Sequence, residues 1–171
     1  MESNRYAPVA LFVYNRLFHL KQSINALANN NLASKTDLIV YSDGPKDDDD
    51  LIKIRKIRLF LHSLNKYNFN SIKIIERNKN FGLANSILSG VTEVIKKYGK
   101  VIVLEDDMVV SKYFLEYMNE GLYNYKYSKK VASIVGYSFP VEGELPETFF
   151  LRGTYWWGWA TWGDRWKYFE K

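Results

Sequence analysis

The sequence predicts an α/β protein in which helices cover both faces of a mostly parallel central sheet. Short apolar segments alternate with longer segments whose apolar residues recur every three or four positions, which is typical of alternating strands and helices. Val9–Tyr14 and Val101–Leu104 are apolar or aromatic throughout, and this favours strands buried on both faces, as in a parallel sheet. At ~100–200 residues per domain, the 171 residues indicate one domain, residues 1–171.

The first half of the chain contains three predicted strands and two predicted helices. The strands are Val9–Tyr14, Leu38–Tyr41 and Ile72–Glu76. Helical spacing of apolar residues runs over Leu17–Leu27 and Leu51–Leu64. The acids Asp47–Asp50 directly precede the second helix, where they suit the positive end of the helix dipole. A calcium loop would instead need its ligands spaced around a glycine turn.

The second half continues the alternation and then becomes irregular. Helices are predicted over Leu83–Tyr98 and Phe114–Tyr125, and strands over Val101–Leu104, Val131–Val135 and Phe149–Leu151. Gly99 suits the end of the first of these helices, and Ser111 suits the cap of the second. The segment Pro140–Pro146 is predicted to be an irregular loop.

Composition excludes several classes of protein. With 47% hydrophobic and 25% charged residues, the chain is neither disordered nor a rod. It has no cysteine and only two histidines, which excludes thiolate chemistry and argues against a multi-histidine metal site. No apolar run approaches the ~20 residues of a membrane span, and the start does not resemble a signal peptide. We therefore expect a cytoplasmic protein.

The net charge of +5 favours anionic partners such as nucleotides, phosphates or acidic headgroups. The basic residues are scattered rather than arranged in a stripe, and acids crowd the expected ligand site. A phosphate backbone would be repelled there, so we expect no binding to nucleic acid.

Three acids directly follow the predicted strand Val101–Leu104. Ligands of open α/β sheets bind beyond the carboxyl ends of the strands, so Glu105, Asp106 and Asp107 are candidates for a ligand site. Crowded carboxylates repel one another and lose solvation, and a divalent cation such as Mg²⁺ or Mn²⁺ would relieve both effects. Strand alternation would turn Glu105 and Asp107 one way and Asp106 the other. The alternative is an acidic turn that caps the following helix.

Other polar residues end the remaining predicted strands. Arg16 follows the first strand, Asp43 the second, and Arg77 and Asn78 the third. Taken singly, Asp43 fits an ordinary turn and each arginine fits a solvated surface. Taken together, their placement at strand ends favours a shared crevice in which the arginines bind a phosphate or a base.

All five tryptophans lie within residues 156–166. So many neighbouring tryptophans cannot all face a core, and exposed aromatic rings stack on sugars and bases. The alternative is a hydrophobic plug or a surface that contacts a partner.

These segments together resemble nucleotide-sugar glycosyltransferases of the GT-A fold, which is a Rossmann-like nucleotide-binding fold. The chain is similar to the family 2-like enzymes of bacterial surface-polysaccharide clusters, and to animal N-acetylglucosaminyltransferases that carry Glu-Asp-Asp as a metal motif. The resemblance covers nearly the whole chain and rests on VALFVYNR, IVYSDGPK, ERNKNFGLANSI, VIVLEDDMVVSKYFLEYM and YWWGWATWGDRW.

The resemblance implies a role for each acid at the strand ends. Asp107 would hold Mn²⁺ or Mg²⁺ bridging the two phosphates of the donor. Glu105 and Asp106 would contact the ribose and the donor sugar, and Asp43 would accept a hydrogen bond from a uracil-type base. The donor would thus be a nucleotide sugar, with a uridine diphosphate sugar expected.

The resemblance also implies roles for other residues. Arg16 would lie near the base or phosphate, and Arg77 and Asn78 would border the nucleotide. The segment Trp157, Gly158 and Trp159 would begin the wall on the side of the acceptor, which would be a saccharide or a lipid-linked saccharide. A lipid-linked acceptor would imply peripheral contact with the inner face of a membrane.

The end of the chain departs from this pattern. Such enzymes usually continue past the tryptophan motif, so we expect a domain truncated on the acceptor side. An inverting reaction needs a carboxylate side chain that acts as a base on the acceptor hydroxyl, and Asp164 is the candidate. Its neighbour is Arg165, so an ion pair or a helix cap is an equal alternative for Asp164. Two other functions stay open at this point: a sugar nucleotidyltransferase, and a module that binds nucleotide or glycan without turnover.

Overall fold

The computed structural model describes residues 5–140, 142–153 and 155–169. These residues form six strands: β1 Val9–Val13, β2 Asp37–Ser42, β3 Ser71–Glu76, β4 Lys100–Glu105, β5 Ile134–Val135 and β6 Trp159–Trp162. They also form five α-helices: α1 Leu17–Ala28, α2 Asp48–Leu61, α3 Gly82–Tyr98, α4 Phe114–Asn124 and α5 Gly163–Trp166.

The strands form one sheet in the order β3-β2-β1-β4-β6-β5. Strands β1 to β4 are parallel, and β6 pairs antiparallel with both β4 and β5. The predicted fold class is confirmed. The carboxyl ends of β1, β2, β3 and β4 therefore meet at one edge of the sheet, which we call the carboxyl edge.

Each face of the sheet has its own hydrophobic core. Residues of α1, α2 and α4 pack on one face, represented by Ile24, Ile57 and Met118. Residues of α3 and α5 pack on the other, represented by Val91 and Trp166. Adjacent residues of β1 and β4 contribute to opposite cores, which explains why these strands are apolar on both faces.

Two helix termini have the capping residues that the sequence predicts, and one predicted cap is wrong. The Asp47 carboxylate accepts a hydrogen bond from the Asp50 N–H at 2.9 Å and so caps α2. Gly99 ends α3 with φ +74°, a conformation that glycine adopts without strain. Ser111 does not cap α4, because that helix begins after Tyr113, which makes no side-chain cap bond. Among the described helices, none is long and apolar enough to cross a membrane.

The last third of the chain corrects the predicted strands. Of Val131–Val135, only the last two residues pair, as β5. Phe149–Leu151 forms no strand and is exposed. A strand that the pattern did not predict, β6, lies instead within the tryptophan-rich segment. Its residues are all buried because they pair with the central strand β4.

Candidate functional site

A cavity of about 220 Å³ opens at the carboxyl edge of β1, β2 and β4, beside the first turn of α3. Its lining includes apolar residues of the strands and residues Gly82, Leu83 and Ser86 of α3. The other polar lining residues are Tyr14, Arg16, Asp43, Lys46, Asn80, Glu105 and Asp106. The structure thus brings together side chains from the ends of three parallel strands, at the place where ligands bind in open α/β sheets.

The acids after β4 are organised around one guanidinium group. Arg16 donates from Nη2 to Asp106 Oδ1 at 2.7 Å and from Nη1 to Asp107 Oδ2 at 2.9 Å. Asp106 is only 2% exposed, and its other oxygen accepts the Tyr14 N–H at 3.0 Å. The Ser23 hydroxyl donates to the Asp106 carbonyl at 2.9 Å. Asp106 therefore ties β4 to the loop that follows β1.

Strand geometry does not continue through all three acids. Strand β4 ends at Glu105, and the Met108 N–H turns back toward the Glu105 carbonyl at 3.3 Å. The predicted alternation is therefore wrong beyond Glu105, because Asp106 and Asp107 lie in a turn and both reach Arg16.

The acidic turn carries more negative charge than its surroundings neutralise. Burial raises the pKa of Glu105, and the charges of Asp107 and Asp106 raise it further. The pKa of Asp106 is also raised, because the effect of burial exceeds the lowering by the Tyr14 N–H and the Arg16 guanidinium. Three carboxylates thus share one guanidinium, and an added cation would be favourable here.

We expect Glu105→Gln to stabilise the fold at neutral pH. The pKa of Glu105 is higher in the folded than in the unfolded protein, so folding stability falls as the pH rises through the interval between these two values. The glutamine amide does not ionise, so the variant does not lose this stability as the pH rises. Thermal unfolding of the variant should occur above that of the wild type at pH 7, with the difference narrowing as the pH falls toward about 4. An equal difference at both pH values would contradict this origin.

Asp43 holds a loop rather than presenting a free carboxylate. Its Oδ1 accepts the N–H groups of Gly44 and Phe81, each at 2.9 Å, and its Oδ2 accepts the Gly82 N–H at 3.0 Å. The Phe81 N–H also lies 3.2 Å from Oδ2. These contacts engage both oxygens and fix the start of α3 against the end of β2. Binding of a base by Asp43 stays a prediction.

Glycine is required where this loop meets β2. A Cβ atom on Gly44 would lie 2.4 Å from the backbone carbon of Lys79, closer than packed atoms approach. The Asn80 side chain donates to the Gly44 carbonyl at 2.8 Å across the same contact. Because the two segments approach so closely, residues of both line the cavity.

Arg77 and Asn78 occupy different places. Arg77 is buried, donates to the Ser86 and Ser89 hydroxyls at 2.5 and 2.8 Å, and lies over the Phe81 ring. It thus supports α3 behind the cavity. Asn78 is exposed and outside the cavity lining, where Asn80 lies instead.

Sequence reasoning missed several residues of the site. Lys46 and Tyr14 line the cavity, with the Lys46 ammonium 5.5 Å from the centre of the Tyr14 ring. Asp50 is buried, accepts from the Tyr14 hydroxyl, and accepts from the Asn15 amide at 2.7 Å. The signal for Asp50 was its place as the last acid of the run, facing the same side of α2 as Ile54 and Ile57.

The tryptophan segment divides between surface and core. Strand β6 pairs Trp159 with Val103, and this antiparallel direction carries Gly158 and Trp157 toward the carboxyl edge. Trp157 is half-exposed, with Tyr137 and Phe139 around it. Trp159 is only 4% exposed and packs in the core, so its ring does not line a surface. Of the predicted acceptor wall, Trp157 is the exposed ring.

Asp164 lies at the opposite edge of the sheet. Trp162 pairs with Lys100 at the start of β4, and the Gly163 N–H donates to the Gly99 carbonyl at 2.9 Å. Five residues at ~3.3 Å each separate this end of β4 from Glu105, a distance of about 16 Å. Asp164 forms ion pairs with Lys129 and Arg165. The expectation of a catalytic base is therefore corrected in favour of the ion pair.

The donor set fits a divalent cation held by few protein ligands. The described residues contain no group of three or more carboxylate, histidine or cysteine side chains able to surround a metal. Mg²⁺ and Mn²⁺ commonly use only one or two carboxylates, with phosphates and water completing the shell. Asp107, 40% exposed beside the buried Asp106, offers a hard oxygen donor of that kind.

The mostly parallel sheet, with helices on both faces and acids at the end of β4, is consistent with the GT-A fold. The model of the family "Glycosyl transferase family 2" matches residues 9–164, and the chain belongs to that family. A search of curated proteins found no match. The narrower resemblance to N-acetylglucosaminyltransferases is not confirmed.

Solved structures share the fold at low sequence identity. The mannosyltransferase PcManGT of Pyrobaculum calidifontis, in complex with GDP-Man and Mn²⁺, is 13% identical with a TM-score of 0.53 over 76% of this chain and 35% of its own. S. aureus TarS 1–349, in complex with UDP, is 15% identical with a TM-score of 0.51 over 70% of this chain and 33% of its own. The chain thus spans about a third of the length of these structures, and the likeness shows the fold alone.

Proposed function

We propose that this domain binds a nucleoside-diphosphate sugar, with uridine diphosphate as the expected carrier, for transfer of the sugar to a saccharide or lipid-linked acceptor. The observation that carries the proposal is that Arg16, Glu105 and Asp106 line one cavity. Arg16 also pairs with both Asp106 and Asp107. Membership of the glycosyltransferase family supports transfer over the synthesis of activated sugars.

In this proposal Asp107 holds Mn²⁺ or Mg²⁺, and the cation would neutralise charge on the departing diphosphate. Arg16 and Lys46 line the cavity and supply further positive charge to the phosphates. Glu105 faces the cavity as an acceptor for sugar or ribose hydroxyls. Asp43 holds the start of α3, and Arg77 holds the next turn of that helix. These groups bind and orient the donor before the acceptor attacks.

On the acceptor side, Trp157 offers an exposed ring next to the end of β4. Aromatic faces bind the apolar face of sugars, so this ring is proposed to border the acceptor. Inversion at the anomeric carbon would need a carboxylate facing the acceptor, and Asp164 does not face this edge.

A thermal-shift screen of nucleoside diphosphates and their sugars, with and without Mn²⁺, tests this proposal. At 100 times the dissociation constant a ligand adds about 2.7 kcal/mol of stability, so the melting temperature should rise by about 5–10 °C. We expect the rise only when a nucleotide and the cation are both present. Nucleoside triphosphates and sugar phosphates are screened in parallel, and a shift with these alone would instead favour a nucleotidyltransferase.

A module that binds without turnover is separated by product analysis. Release of free nucleoside diphosphate from a bound donor, by transfer or by slow hydrolysis, supports the enzyme. Tight binding of the donor with no release of diphosphate supports the non-catalytic alternative.

A further inference from the structure

The two contacts of Arg16 differ sharply in their surroundings. The contact to Asp106 reaches a carboxylate that is 2% exposed and is also held by the Tyr14 N–H. The contact to Asp107 reaches a carboxylate that is 40% exposed, and Arg16 itself is 46% exposed. Exposed ion pairs contribute only ~0–1 kcal/mol. The Asp107 contact is therefore the one that can be exchanged at little energetic cost.

Asp107 cannot serve Arg16 and a divalent cation equally. Arg16 Nη1 lies 2.9 Å from Asp107 Oδ2, and a cation at normal ligand distances of ~2.0–2.2 Å would repel a guanidinium so close. The buried Asp106 contact keeps Arg16 attached to the site after Nη1 is released. Nη1 would then have no acceptor on Asp107 and could turn toward phosphate oxygens beside the cavity.

We propose that Arg16 is an exchangeable internal cation: it neutralises Asp107 in the free protein and gives up that carboxylate when a divalent cation binds with the donor diphosphate. The inference rests on the proposed function and adds to it a coupling between cation binding and nucleotide binding. Arg16 lowers the affinity for the cation alone and raises the affinity for the nucleotide once the cation is present. The protein thus favours the cation together with its nucleotide over the bare cation.

The test is Mn²⁺ binding measured by the electron paramagnetic resonance signal of free Mn²⁺, with and without uridine diphosphate. Without nucleotide, Arg16→Gln should bind Mn²⁺ about 3- to 5-fold more tightly than the wild type, which corresponds to the upper range of an exposed ion pair. With nucleotide, the variant should gain less Mn²⁺ affinity than the wild type does. Arg16→Lys keeps the charge without the fork of two donors and should lie between the two.

Lys129→Gln is the matched control. It removes the same unit of charge and breaks an ion pair to an aspartate, Asp164, but at the opposite edge of the sheet. Its Mn²⁺ affinity should equal that of the wild type. Equal or weaker Mn²⁺ binding by a folded Arg16→Gln, with the wild type binding normally, overturns the inference alone. Absence of Mn²⁺ binding by the wild type, even with nucleotide, overturns the cation role of Asp107 and this inference with it.

Discussion

Asp107→Ala is expected to abolish the contribution of Mn²⁺ to donor binding. With few protein ligands to the cation, loss of one carboxylate removes most of the affinity that the protein itself supplies. We expect the dissociation constant of a uridine diphosphate sugar, measured by calorimetry in Mn²⁺, to rise at least ~100-fold, or about 2.7 kcal/mol. Without Mn²⁺, the variant should bind no more weakly than the wild type, because it loses a negative charge beside the diphosphate and Arg16 Nη1 is no longer held by Asp107.

Asp164→Ala is a close control for this substitution. Asp164 is 37% exposed against 40% for Asp107, and each carboxylate pairs with an arginine. Asp107→Ala loses an exposed ion pair and should lose less than ~1 kcal/mol of stability. Asp164→Ala also removes the partner of Arg165, which is only 8% exposed, so its loss of stability should be at least as large. Only Asp107→Ala should lose Mn²⁺-dependent binding. Unchanged Mn²⁺-dependent donor binding by Asp107→Ala would show that Asp107 does not hold the cation.

Asp43→Ala is expected to cause the largest loss of stability among the substitutions considered. The carboxylate accepts the N–H groups of Gly44, Phe81 and Gly82 in a nearly buried position. Charge-assisted bonds to buried donors are stronger than neutral ones, and their removal leaves those donors unsatisfied. We expect the free energy of unfolding, from urea titration, to fall by about 2–4 kcal/mol.

Asp48→Ala provides the comparison, because Asp48 is an exposed acid in the first turn of α2. There the loss should be limited to the interaction with the helix dipole, ~0.3–1 kcal/mol. A loss of less than ~1 kcal/mol for Asp43→Ala would show that the loop keeps its place without this carboxylate. Asp43 would then be free to bind a ligand, as the sequence resemblance implied.

The parallel part of the sheet could be predicted because its signals are local. Strands β1 and β4 are apolar on both faces, and in the helices between them apolar residues recur every three or four positions. Strand β6 could not be predicted in this way. It is buried because it pairs with β4, some sixty residues earlier in the chain, and its tryptophans suggest an exposed surface when only their spacing is considered.

The same distinction applies to the candidate site. Glu105 and Asp106 line a cavity where the sequence places them, because a parallel sheet fixes where its strand ends meet. Asp107 lies outside the cavity lining, and the ligand roles of these acids stay a prediction. Asp164 was misplaced because its position depends on the antiparallel direction of β6. Asp43 was located correctly at the end of β2, but two of its three backbone partners, Phe81 and Gly82, come from a loop almost forty residues later, and no sequence pattern shows that they occupy it.

The central claim is that a cation and a diphosphate meet at the acids that end β4. Paramagnetic broadening of amide signals by Mn²⁺, in the presence of uridine diphosphate, tests it most directly. We predict that signals near Arg16, Gly82 and Glu105 are lost first, while those near Gly163, about 16 Å away along β4, persist at low Mn²⁺. Broadening centred on Asp47–Asp50 or on Asp164, with the Glu105 region unaffected, would contradict it.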